Sequence, residues 1–224
     1  MGFFWEGLPP YLLNWASDLL GPTTLAIETG TFRGDTSLLL AQHFGECLTI
    51  ERSDHLARRA QERFTGDSRV IVHHGSSRDL LPTLLPNPSR PCFFWLDAHG
   101  IYDFSGPNAE ENPLLQELST IINSRLTGET IVAIDDARGM GTQPDWPSLG
   151  EITTVLNSAG FVSVVFDDIV VATKTTGVAN FYDLYQRSRM VEAKSLFQVW
   201  SKVMRTVRIR QLTDKMLGSV TRKS

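Results

Sequence analysis

The chain has 224 residues, 42% of them hydrophobic, and a formal net charge of −4, which suits one globular domain with a substantial core. No apolar run is long enough to span a bilayer, and the opening MGFFWEGLPP lacks the charged start and long apolar stretch of a signal peptide. Glu6 stands where a myristoylation signal after Gly2 needs Ser or Thr, so the expectation is a cytoplasmic protein without a lipid anchor.

Charge is unevenly placed. Residues 181–224 hold ten Lys/Arg against three Asp/Glu, whereas the remaining 180 residues hold eleven against twenty-two. An acidic body argues against a nucleic-acid-binding surface there. The two cysteines, Cys47 and Cys92, fall in strand-like segments and read as reduced core thiols.

From residue 25 onward, strand-like and helix-like segments alternate. LAIET (25–29) runs through a glycine-bearing turn into the helical DTSLLLAQHF, and CLTIE (47–51) into SDHLARRAQERF, with Ser53 or Asp54 as N-cap. RVIVHHG (69–75) precedes SSRDLLPTLL. CFFWLD precedes a polar loop and NPLLQELSTIINSRL, and TIVAIDD (130–136) precedes a loop rich in Gly and Pro. Five strands alternating with helices predict a parallel, doubly wound sheet. The helical ITTVLNSAG follows, then FVSVVFDDIVVATK, two strands joined by Asp167 and Asp168 alone. So short a link permits only an antiparallel hairpin.

Ligands of open α/β sheets bind beyond the carboxyl ends of the strands, so the strand ends carry the functional signal. The first turn, ETGTFRGDTS (28–37), has Gly30 and Gly34 where the backbone turns tightly, and the next helix offers its free N–H groups there. Glu51 ends the second strand about twenty residues on, where nucleotide-binding sheets place an acid on ribose hydroxyls. Ser76, Ser77 and Arg78 after the third strand either wall an adenine pocket or cap the next helix. Asp97 ends the fourth strand, and Asp135 and Asp136 end the fifth. Three converging carboxylates repel one another and are costly to desolvate. A divalent cation such as Mg²⁺ removes that cost, the alternative being that one of them caps a helix or pairs with Arg138.

Taken as a set, these segments resemble the class I S-adenosylmethionine-dependent methyltransferases. Within them they are similar to the metal-dependent O-methyltransferases of the catechol, caffeoyl-CoA and macrocin types. The likeness rests on the aromatic Phe32 between Gly30 and Gly34, on GSSRDLLPTL, and on the strand ends FFWLDAHG and IVAIDDAR, between about residues 24 and 138. It implies a Rossmann-like seven-stranded sheet, mostly parallel, closed by a C-terminal antiparallel hairpin. It implies an S-adenosyl-L-methionine site made by Glu28, Gly30, Thr31, Phe32 and Gly34 around the methionine part and by Glu51 with Arg52 at the ribose. Ser76, Ser77 and Arg78 would lie at the adenine, with Asp97 beside the cofactor. Asp97, Asp135 and Asp136 would bind Mg²⁺ or another divalent cation. The catechol enzymes have a lysine three residues after the first metal aspartate, where this chain has Gly100. His99 is the nearby replacement base, making His99 and Asp97 the expected catalytic pair.

The expected activity is metal-assisted methyl transfer to a hydroxyl of a small polar, sugar-like acceptor. The alternatives are a metal-independent methyltransferase of the same fold and a nucleoside-binding scaffold without catalysis. Residues 1–24 are expected as an N-terminal helical segment, 25–176 as the cofactor-binding domain and 177–224 as a basic amphipathic helical extension. In that extension Leu196, Val199, Trp200, Val203, Met204 and Val207 form one stripe. The stripe is expected to pack on its own domain or on a second copy, the alternative being contact through residues 190–217 with an anionic membrane surface or an acidic partner.

Overall fold

In the computed structural model, the described residues are 7–85, 90–99, 112–124, 126–142, 145–174 and 180–190, with 194, 197, 198 and 201. The chain divides into two units, Met1–Leu184 and Tyr185–Ser224. The first unit contains seven strands: β1 (Leu25–Thr29), β2 (Cys47–Glu51), β3 (Val70–His74), β4 (Cys92–Leu96), β5 (Thr130–Ile134), β6 (Phe161–Phe166) and β7 (Ile169–Lys174). Its helices are α1 (Pro10–Leu20), α2 (Asp35–Phe44), α3 (Asp54–Arg63), α4 (Ser77–Leu84), α5 (Leu114–Asn123) and α6 (Leu149–Ser158). Among the described residues, no helix is long and apolar enough to cross a membrane.

The sheet order is β3-β2-β1-β4-β5-β7-β6. Every pair from β3 to β5 is parallel, and β7 runs antiparallel to both β5 and β6, as the alternation of segments and the two-residue hairpin predict. All residues of β1, β4 and β5 are buried, which is why they read as unbroken apolar runs: helices cover both faces of a parallel sheet. Strand order reverses at β1 and β4, whose ends lie level through the pair Thr29 and Leu96. A crevice opens at this reversal.

Several ends are fixed by side chains. Ser53 is the N-cap of α3, its hydroxyl accepting the Leu56 N–H. Helix α6 begins at Leu149, three residues before the run ITTVLNSAG suggests. Ser148 and Glu151 form a reciprocal capping box there, which satisfies two N–H groups that would otherwise have no partner. Both hairpin residues, Asp167 (φ 43°) and Asp168 (φ 75°), are left-handed, the conformation that matches a two-residue turn to strand twist. Asp167 accepts a 2.5 Å hydrogen bond from the Tyr11 hydroxyl of α1. The Trp15 indole, also from α1, donates to the Asn180 carbonyl and stacks on Phe181.

In the second unit, residues 185–190 are helical, with the Ser188 hydroxyl donating to the Tyr185 carbonyl. The apolar stripe from Leu196 to Val207 lies outside the described residues.

Candidate active site

Gly30 has φ +93°, and a Cβ on it would come within 2.5 Å of the Asp97 carbonyl oxygen. Only glycine lets the β1 and β4 ends approach this closely. Asp97 N–H donates to the Thr29 carbonyl, tying β4 to β1, and Gly30 N–H donates to the Ile50 carbonyl, tying β1 to β2, each at 2.9 Å. Gly34, left-handed at the start of α2, lies against the Phe64 ring where a Cβ would sit 2.6 Å away.

Between these glycines, Phe32 is a non-glycine residue at φ 47° and is 58% exposed. Its backbone is held by Glu51, whose Oε2 accepts the Phe32 N–H at 2.9 Å while Oε1 accepts the Ser53 N–H at 2.8 Å. The first turn and the end of β2 are therefore one hydrogen-bonded unit, and Glu51 retains lone pairs for a further donor. Arg33 lies over the Phe32 ring, and Arg52 is exposed beside Glu51.

Glu28 and Thr31 face inward beneath the turn. Thr49 and Ser37 donate to Glu28 Oε2, the former at 2.6 Å, and the Thr31 and Thr49 hydroxyls are 2.6 Å apart. Burial nevertheless drives the Glu28 carboxyl up to about 7. Beyond β3, Ser76 occupies the N-cap position of α4 without a side-chain cap bond. Ser77 is buried, and Arg78 donates to the Asn112 carbonyl at 3.2 Å.

Across the crevice, the half-buried Asp135, Asp136 and Asp168 offer carboxylate oxygens within 4.8 Å of one another. Asp168 is the member the sequence did not suggest; it arrives because the hairpin inserts β7 next to β5, beside Ile134. Arg138 bridges two of the three, pairing with Asp136 at 2.8 Å and with Asp168. Asp97 is outside this close group. Burial, then the charge of Asp135, holds the Asp97 carboxyl well above the carboxylate range, and burial raises Asp135 to about 6. An all-oxygen donor set with two acids short of counter-charge fits a divalent cation.

His99 is 4% exposed, its ring edge-on to Trp146. Its Nε2 lies 3.0 Å from the Asp135 carbonyl. A carbonyl can only accept, so Nε2 carries the hydrogen and Nδ1 keeps the lone pair. Nδ1 is buried and has no hydrogen-bond partner among the described residues. Burial lowers the His99 pKa, which favours the neutral ring. Gly100 and the polar loop to residue 111 lie outside the described residues.

No family model matches the sequence. No curated protein matches it either. Solved structures do. An O-methyltransferase from Bacillus cereus in complex with SAH aligns with a TM-score of 0.53 at 16% identity, over 76% of this chain and 83% of that one. A candidate caffeoyl-CoA O-methyltransferase from Staphylococcus aureus aligns with a TM-score of 0.51 at 14% identity, over 75% and 85%. The cofactor-bound Rv0187 from MTB aligns with a TM-score of 0.51 at 18% identity, over 75% and 81%. The sheet order, the closing antiparallel hairpin and these alignments agree: the chain has the class I S-adenosylmethionine-dependent methyltransferase fold.

Proposed function

We propose that this protein is an S-adenosylmethionine-dependent methyltransferase acting on a hydroxyl of a small polar acceptor, with a divalent cation at the acidic side of the crevice. The observation that carries the reading is the union of the Gly30 turn with Glu51 at the point where strand order reverses. Glu51 would hold a ribose there and the turn the methionine end. Solved structures of the same fold include an O-methyltransferase from Bacillus cereus in complex with SAH and the cofactor-bound Rv0187 from MTB.

When bound, S-adenosylmethionine supplies an electrophilic methyl group on sulfur, and a divalent cation held by Asp135, Asp136 and Asp168, with Asp97 near by, would acidify and orient an acceptor hydroxyl. The chain supplies the rest. Gly30 lets the backbone come close to the cofactor, and Glu51 fixes both the turn and the ribose. His99, neutral and with Nδ1 bearing its lone pair, is suited to take the hydroxyl proton. The buried strand ends limit water at the reacting atoms, and the acidic rim suits a polyhydroxylated acceptor.

Arg138 favours a second reading. A guanidinium already seated between Asp136 and Asp168 can balance the acids itself, which leaves a metal-independent methyltransferase. A labelled-methyl screen of hydroxylated acceptors, with chelator and with Mg²⁺ add-back, tests both. Activity lost on chelation and restored by Mg²⁺ supports the first reading, activity indifferent to chelation supports the second, and no methyl transfer with SAH still bound by calorimetry leaves a nucleoside-binding scaffold.

A further inference from the structure

Glu117, in the first turn of α5, is completely buried. Acids are almost never fully buried unless paired. Both of its carboxylate oxygens are enclosed without a well-formed hydrogen bond among the described residues. The groups that favour its charged form are the hydroxyls of Ser77 and Thr29 and the guanidinium of Arg78, and burial outweighs them, holding the carboxyl up at about 7. The N-terminal turn of α5 adds a favourable dipole for the anion. A site that needed only volume would hold leucine or methionine, at no desolvation cost.

Those neighbours all belong to the rim of the crevice. Thr29 ends β1 and directly precedes Gly30, while Ser77 and Arg78 open α4. Arg78 is braced by the Asn112 carbonyl, and Asn112 Oδ1 accepts the Leu114 N–H that starts α5. The first turns of α4 and α5 are thus joined by polar contacts through Arg78 and Asn112, and the buried Glu117 belongs to that first turn of α5.

We propose that Glu117 is a positioning residue of the cofactor pocket: its buried carboxylate orients Ser77 and Arg78 at the opening of α4 toward the adenine of the bound nucleoside. The inference rests on the reading above, in which Ser77 and Arg78 lie beside the adenine. Calorimetry with SAH on wild type, Glu117→Gln, Arg78→Gln and the double variant tests it. Glu117→Gln is expected to weaken SAH binding roughly 3- to 30-fold, inside the span of coupling between residues that share partners, without lowering the melting temperature. In the Arg78→Gln background the same change is expected to add little. An equal loss in both backgrounds, or no loss in either, overturns the positioning role. If Glu117→Gln does not fold, Glu117→Met, which leaves no polar atom at the site, takes its place in the cycle. Failure of both to fold assigns the acid to the core and overturns the proposal. Wild type that binds no SAH overturns the cofactor reading itself, and this inference with it.

Discussion

The carbonyl oxygen of Asp97 occupies the space that a side chain on Gly30 would need, 2.5 Å from the position of its Cβ. Backbone cannot yield as a flexible side chain can. Gly30→Ala therefore adds a clash to the strain of φ +93°, and is expected to cost roughly 2–4 kcal/mol, at the high end of single-substitution effects. Thermal melting measures the loss, and SAH calorimetry on any folded fraction should show binding abolished. Wild-type stability in the variant would mean that the two strand ends separate freely.

Glu51 serves two backbone N–H groups. Glu51→Ala should weaken S-adenosylmethionine binding by roughly 1.5–3 kcal/mol, the range for hydrogen bonds to a charged group, and should release the Phe32 turn. Glu51→Gln keeps one acceptor oxygen and is expected to fall between. Unchanged affinity in the alanine variant, measured by calorimetry, would remove Glu51 from the ribose.

Strand ends were the legible part of this sequence. A short apolar run closed by an acid marks a buried parallel strand and its outlet, which is enough to assign Glu51, Asp97, Asp135 and Asp136 to one edge of the sheet. Asp168 cannot be assigned so, because its neighbourhood depends on β7 lying between β5 and β6, and sequence spacing says nothing about that insertion. Nothing in the pattern of NPLLQELSTIINSRL singles out Glu117, because its complete burial is a product of tertiary packing. The Ser148–Glu151 box has the S-x-x-E form, but Leu149 and Gly150 continue the look of the Gly- and Pro-rich loop, so the apolar pattern alone starts the helix at Ile152.

Arg138 is the residue through which the two readings of the acidic cluster part company. Arg138→Met leaves Asp136 and Asp168 without their guanidinium. If a divalent cation belongs there, Mg²⁺ should raise the melting temperature of the variant more than that of wild type, by mass action on the folded state. Equal response, or none, would speak for the metal-independent enzyme. Asp135→Asn should abolish the Mg²⁺ response in either background if Asp135 is a ligand.

His99→Ala should lower the methyl-transfer rate by roughly 10²–10⁴-fold if Nδ1 is the general base, with SAH affinity nearly unchanged. A loss smaller than tenfold would leave His99 as packing for Trp146.

Glu28 makes stability fall as pH rises. Its carboxyl is raised from 4.5 to about 7 in the folded protein, so between those values the folded state binds more protons than the unfolded one and loses stability with rising pH. The contribution is complete below about 4.5, is lost through about 7, and amounts to roughly 3 kcal/mol. Glu28→Gln cannot ionise and should flatten that part of the melting-temperature profile between pH 5 and 8. A variant profile parallel to wild type would show that another group carries the slope.

Tyr11 and Asp167 are 156 positions apart, and Trp15 finds Asn180 across a comparable stretch. Helix α1 therefore waits for the β6–β7 hairpin and for Asn180 beyond it before its polar anchors exist. Contacts this distant in sequence slow folding, because the chain must close a long loop before the contact stabilises anything. During synthesis the sheet from β3 to β5 can assemble while α1 still lacks those anchors, and α1 is secured late, in part by the turn that also carries Asp168.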